Sequence, residues 1–140
     1  GQTTKENSRH NYKILIAEDE EINYLFLEIL LKDKINLDCT IIHAKDGNEA
    51  VSICNTQPEI DLVLMDLKMP NMNGFEALKL INKKHPKLPV VAQTAFSSAE
   101  DREKIKAAGF DDFISKPISE EALKIVLNGI KKQQKNTNPK

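Results

Sequence analysis

Residues 62–74 read Leu62-Val63-Leu64-Met65-Asp66-Leu67-Lys68-Met69-Pro70-Asn71-Met72-Asn73-Gly74. An apolar run of this length, bounded by turn residues, is the pattern of a strand buried in a parallel sheet. In open α/β sheets ligands bind outside the carboxyl ends of the strands. Asp66 therefore stands at the mouth of a crevice, where a carboxylate is placed for chemistry. Alone, a turn or helix-cap role would be the commoner fate of such an aspartate. The other strand ends change the odds.

Lys13–Ala17 is a second apolar run, and it leads directly into Glu18-Asp19-Glu20-Glu21. Val90-Val91-Ala92-Gln93 ends at Thr94-Ala95, and Asp112–Ser115 ends at Lys116-Pro117. An acid pair, a single acid, a hydroxyl and a lysine then line one edge of one sheet. In this order, and with Met69-Pro70 and Gly74 after the central acid, the chain resembles the receiver domain of two-component response regulators. The resemblance covers roughly residues 12 to 132. Glu18–Asn23 and Ser115–Ile118 look most like the receivers of hybrid sensor histidine kinases.

The chain of 140 residues is one ordinary domain, long enough for a true core. With Thr40–Ala44 as the remaining strand, five strands alternate with helical patterns at about 20–32, 47–56, 74–85, 98–108 and 119–132. That alternation predicts an α/β fold with a parallel sheet covered on both faces. The resemblance implies a flavodoxin-like, doubly wound (βα)5 arrangement with strand order 2-1-3-4-5. Asp46, Asn73, Ser97 and Ser119 stand at cap positions, and Gly109 fits a helix stop. Residues 1–11 read as a linker or tag remnant, 12–132 as the receiver domain and 133–140 as a disordered tail. Gly1 in place of Met suggests one domain excised from a larger protein.

A net charge of −1 gives no general reason to expect nucleic-acid or membrane binding. Cys39 and Cys54 lack metal-like spacing and read as reduced, buried thiols of a cytosolic protein. No apolar stretch approaches a membrane span and no signal peptide is present. The expected location is cytoplasmic, or the cytoplasmic side of a membrane in a hybrid kinase.

Three clustered carboxylates, Glu18, Asp19 and Asp66, repel one another unless a cation is bound. A hard divalent ion with oxygen ligands relieves this, Mg²⁺ suiting a site that keeps waters and Mn²⁺ being the alternative. The bland reading is an acidic helix N-terminus. The resemblance implies that Asp19 and Asp66 ligate directly, Lys68 through its backbone carbonyl, and Glu18 through water. It makes Asp66 the phosphoacceptor, with Lys116 and the Thr94 hydroxyl on the phosphoryl oxygens and a cis Lys116–Pro117 bond. Thr94 and Phe113 become the switch pair, although Phe113 also reads as a plain core aromatic. Lys68 and Phe96 would tune the lifetime of the phosphorylated form. On this reading the domain is no conventional enzyme, but promotes its own phosphorylation and dephosphorylation.

The donor would be a histidine kinase or histidine phosphotransfer domain, since His10, His43 and His85 lie away from these strand ends. On the first helix Ile22, Phe26, Ile29 and Leu30 form the expected core stripe. Tyr24, Leu27 and Leu31 lie opposite, either packing on the fifth helix or docking a partner. The charges Glu100, Asp101, Arg102, Lys104 and Lys124 support either a homodimer or a solvated face. Lys68 stands where a haloacid-dehalogenase-type phosphatase needs a second aspartate. The acidic first loop likewise argues against an FMN-binding module. A receiver-fold adaptor that is never phosphorylated remains the alternative.

Overall fold

The computed structural model describes residues 11–95 and 98–137, with side chains described to residue 133 in the last helix. Phe96 and Ser97, and with them the tuning and capping roles expected there, lie outside the described residues. The strands are β1 (Tyr12–Ala17), β2 (Cys39–Ala44), β3 (Leu62–Asp66), β4 (Val90–Thr94) and β5 (Asp112–Ser115). They pair in parallel in the order β2-β1-β3-β4-β5. The helices are α1 (Glu21–Ile29), α2 (Gly47–Thr56), α3 (Gly74–Lys84), α4 (Ala99–Ala108) and α5 (Glu120–Thr137).

Alternation along each strand divides the core. Leu15, Val63, Met65, Val90 and Ala92 face α2, α3 and α4. Ile14, Ile16, Leu62, Leu64, Val91 and Ile114 face α1 and α5. Every residue of β3 and of β4 is buried, which is why these strands read as continuous apolar runs.

Local chemistry sets the ends. Asp46 and Asn73 each accept a hydrogen bond from the N–H three residues on, and Glu76 completes a capping box with Asn73. Ser119 Oγ accepts from Ala122 N–H. The cap of α4 is Ser98, bonded to Asp101, one residue beyond the serine expected. Gly109 closes that helix at φ 107°, a conformation that favours glycine. A Cβ on Gly47 would run into the Met72 carbonyl, so only glycine lets α2 start against the β3–α3 loop.

Two expectations need correction. α5 continues to Thr137, five residues beyond the boundary at 132, because Lys131–Thr137 contains helix formers and no breaker before Pro139. The faces of α1 are also reversed. Leu27 and Leu31 are buried with α5 residues Leu123, Val126 and Leu127, and Tyr24 packs against the same cluster. Ile22 is 79% exposed, and Leu25, Phe26 and Ile29 are exposed beside it; of the expected core set only Leu30 is buried. Tyr24, Leu27 and Leu31 thus cannot form a docking surface. Both stripes are apolar at helical spacing, so periodicity alone could not say which one meets the sheet. After Ile29 the helix widens into a π turn, Leu30–Lys34, that brings Leu31 onto the sheet.

Candidate active site

The ends of β1, β3, β4 and β5 bring the expected groups together. Ligand oxygens of Glu18, Asp19 and Asp66 lie within 4.8 Å of one another. Lys116, arriving from β5, puts its Nζ 3.2 Å from Asp66 Oδ1 and 3.3 Å from Glu18 Oε1. Its backbone N–H donates to the Thr94 carbonyl at 2.7 Å, and the Lys116–Pro117 peptide is cis. Thr94 is buried at the end of β4. Asp19, Asp66, Lys68, Thr94 and Lys116 share the walls of one cleft of about 180 Å³.

The two acids of the first loop differ. Asp19 is exposed and open to a ligand. Glu18 is enclosed, and its Oε2 accepts the Glu20 N–H at 3.2 Å. Its longer side chain reaches the lysine directly. His43 Nε2 contacts the Glu18 carbonyl at 2.8 Å while its ring stacks on Tyr24, tying the first loop to β2 and α1.

The electrostatics follow from crowding. Burial, and then the neighbouring Asp66, push the Glu18 carboxyl above its ordinary value, against the opposing pull of Lys116. Burial works against the Lys116 charge, but Asp66 and Glu18 outweigh it and hold the ammonium above its usual range. The three clustered carboxylates outnumber the two lysines of the cleft, Lys68 and Lys116, so the site retains excess negative charge. Its all-oxygen donors fit a hard divalent cation.

Lys68 donates its N–H to Asp66 Oδ1 at 3.3 Å. Phe113 is half-buried on the α2–α4 face, paired in register with Ala92, and Thr94 continues that same face at the end of β4. Sequence reading missed Gln93, a wholly buried residue whose side-chain nitrogen and oxygen both lack a partner among the described residues. The available signal was a lone amide closing the run Val90-Val91-Ala92.

The family model of the response regulator receiver domain matches residues 14–128. The chain belongs to that family. The receiver is 35% identical over 121 residues, 84% of its length, to the CAI-1 autoinducer sensor kinase/phosphatase CqsS of Vibrio cholerae. It is 37% identical over 127 residues, 89% of its length, to hybrid signal transduction histidine kinase G of Dictyostelium discoideum. It spans only 17% and 4% of those two proteins. Among solved structures, the receiver domain of sensor histidine kinase PA1611 from Pseudomonas aeruginosa PAO1 superposes with a TM-score of 0.74 at 28% identity. The match covers 84% of this receiver and 95% of that one, which holds a magnesium ion coordinated in its active-site cleft.

Proposed function

We propose that this receiver, residues 12–132, accepts a phosphoryl group on Asp66 from a phosphohistidine of a histidine kinase or histidine phosphotransfer domain, as the receiver of a hybrid sensor kinase. The observation that carries this reading is Lys116 Nζ lying 3.2 Å from Asp66 Oδ1, beside a cluster of acids at the strand ends. A carboxylate oxygen of Asp66 attacks phosphorus; the O–P bond forms as the P–N bond to the donor imidazole breaks. The Lys116 ammonium turns from carboxylate to phosphoryl oxygens, and the Thr94 hydroxyl donates to another. Asp19 and Asp66, with the Lys68 carbonyl and Glu18 behind a water, would hold Mg²⁺, or Mn²⁺ in its place. The cation supplies positive charge to the transferred group.

Movement of Thr94 toward the phosphoryl group opens space on the face it shares with Phe113, which gives the signal a route to the α4–β5 surface. Lys68, exposed at the rim, is suited to tuning the lifetime of the acyl phosphate. The exposed stripe Ile22, Leu25, Phe26 and Ile29, of which Phe26 lines the cavity beside Lys116, suits an apolar partner helix. Asp101 bonds Ser98 within α4, and Lys124 lies 3.8 Å from Glu120 within α5, which favours a solvated charged face over a homodimer.

The test is intact mass after incubation with acetyl phosphate, with and without Mg²⁺, on wild type and Asp66→Asn. A single phosphoryl adduct that needs both Mg²⁺ and Asp66 is expected. No adduct on folded, Mg²⁺-binding protein would refute the reading in favour of an unphosphorylated adaptor.

A further inference from the structure

Side-chain alternation puts a fourth polar residue in line with the three already described. Ile14 and Ile16 on β1, Leu62 and Leu64 on β3, Val91 on β4 and Ile114 on β5 all face α1 and α5. Continuing each strand by two residues gives Glu18, Asp66, Gln93 and Lys116 on that same face. Gln93 stands directly beside Asp66 in the β3–β4 register, and β5 lies on its other side. Lys116 must therefore cross the end of β4, over Gln93, to reach Asp66 and Glu18. Gln93 and Lys116 together line both the active-site cleft and a smaller cavity of about 80 Å³ closed by Phe26, Pro117 and Ile118.

A primary amide buried with neither end bonded is costly, and such groups call for an explanation. An ammonium has three donors. Two of those on Lys116 go to Asp66 and Glu18, and no described residue takes the third. We propose that Gln93 is a positioning residue for Lys116, its side-chain oxygen accepting a hydrogen bond from the ammonium as the phosphoryl group arriving at Asp66 draws the lysine off Glu18 in the transition state. Lys116 then exchanges its bond to Glu18 for one to a phosphoryl oxygen and one to Gln93. The amide bond holds the crossing side chain over β4 in the orientation that the transferred group needs.

This inference rests on Asp66 being the phosphoacceptor, and the experiment separates the two. Gln93→Met keeps the unbranched length and removes both polar atoms. With acetyl phosphate and Mg²⁺, the variant should fold with a thermal midpoint at or above wild type. Its maximal phosphorylation rate should fall about tenfold at unchanged KM for the donor, the scale of one charge-assisted hydrogen bond. In the wild type, the ¹⁵N–¹H signals of the Gln93 side-chain amide should shift on phosphorylation. An adduct forming on Gln93→Met at the wild-type rate overturns the role of Gln93 and leaves the phosphoacceptor reading standing. Should the variant not fold, unmoved amide signals in phosphorylated wild type overturn it equally. No adduct on the wild type overturns both.

Discussion

At the scale of single residues, Lys116 holds two enclosed carboxylates apart from mutual repulsion. Lys116→Met leaves Glu18 and Asp66 facing each other without a counter-charge. We expect a loss of roughly 3 kcal/mol in urea unfolding with EDTA present, the lower end for an orphaned buried charge. The lower end applies because the Lys116 side chain remains 21% exposed. Unchanged stability would mean that the ion pairs contribute nothing net. Cys54 gives a pH signature far from the site. Burial pushes its thiol up to about 11, from 9.0. The fold favours the neutral thiol, so between these values the unfolded chain has lost a proton that the folded one keeps. Stability must then fall as pH rises from 9.0 to about 11. Cys54→Ala should flatten that stretch of the stability curve by about 2 kcal/mol; an identical slope would show the thiol to be reachable by water. Asp66, Asp19, Thr94 and Lys116 could be found in the sequence because each stands at or just beyond the end of a strand-like segment. The pairing of Glu18 with Lys116 could not, since residues 98 positions apart meet only through sheet order.

At the scale of elements, α1 is the informative failure. The helix α1 carries two apolar stripes, only one of which meets the core. The choice between them depends on the π turn at Leu30–Lys34 and on α5 packing, neither of which has a local signature. Leu27→Ala should cost about 2–5 kcal/mol in chemical denaturation. Ile22→Ser should change stability by no more than about 0.5 kcal/mol yet weaken phosphotransfer from the cognate donor. Reversed sensitivities would restore the orientation that periodicity suggested. The shift of the α4 cap from Ser97 to Ser98 has a similar origin: adjacent serines, each followed three residues later by an acid, are equivalent in sequence.

At the scale of the whole molecule, the proposed cation site would make folding and cation binding one equilibrium. A cation that binds only the folded site raises the unfolding free energy by about 2.7 kcal/mol at a hundred times its dissociation constant. Titrating Mg²⁺ against thermal unfolding should show that rise, and Asp19→Asn should abolish most of it. A Mg²⁺-independent midpoint in wild type would argue that the acids hold no cation. Strand order was legible only through family resemblance, because the alternation of strands and helices fixes a parallel sheet but not which strands lie at its centre.

That order leaves β2 and β5 at the sheet edges. β5 is four residues long and exposes Asp112, which makes it a poor template for a further strand. β2 is longer, and Cys39-Thr40-Ile41-Ile42-His43-Ala44 contains no proline and no carboxylate or lysine. Only Asp38, Lys45 and Asp46 guard its ends. Such windows are the ones that stack into intermolecular sheets when a fold loosens. Heated or concentrated protein should therefore begin to aggregate along β2, and Thr40→Lys, at an exposed position of that edge, should delay the onset of light scattering while leaving phosphorylation intact.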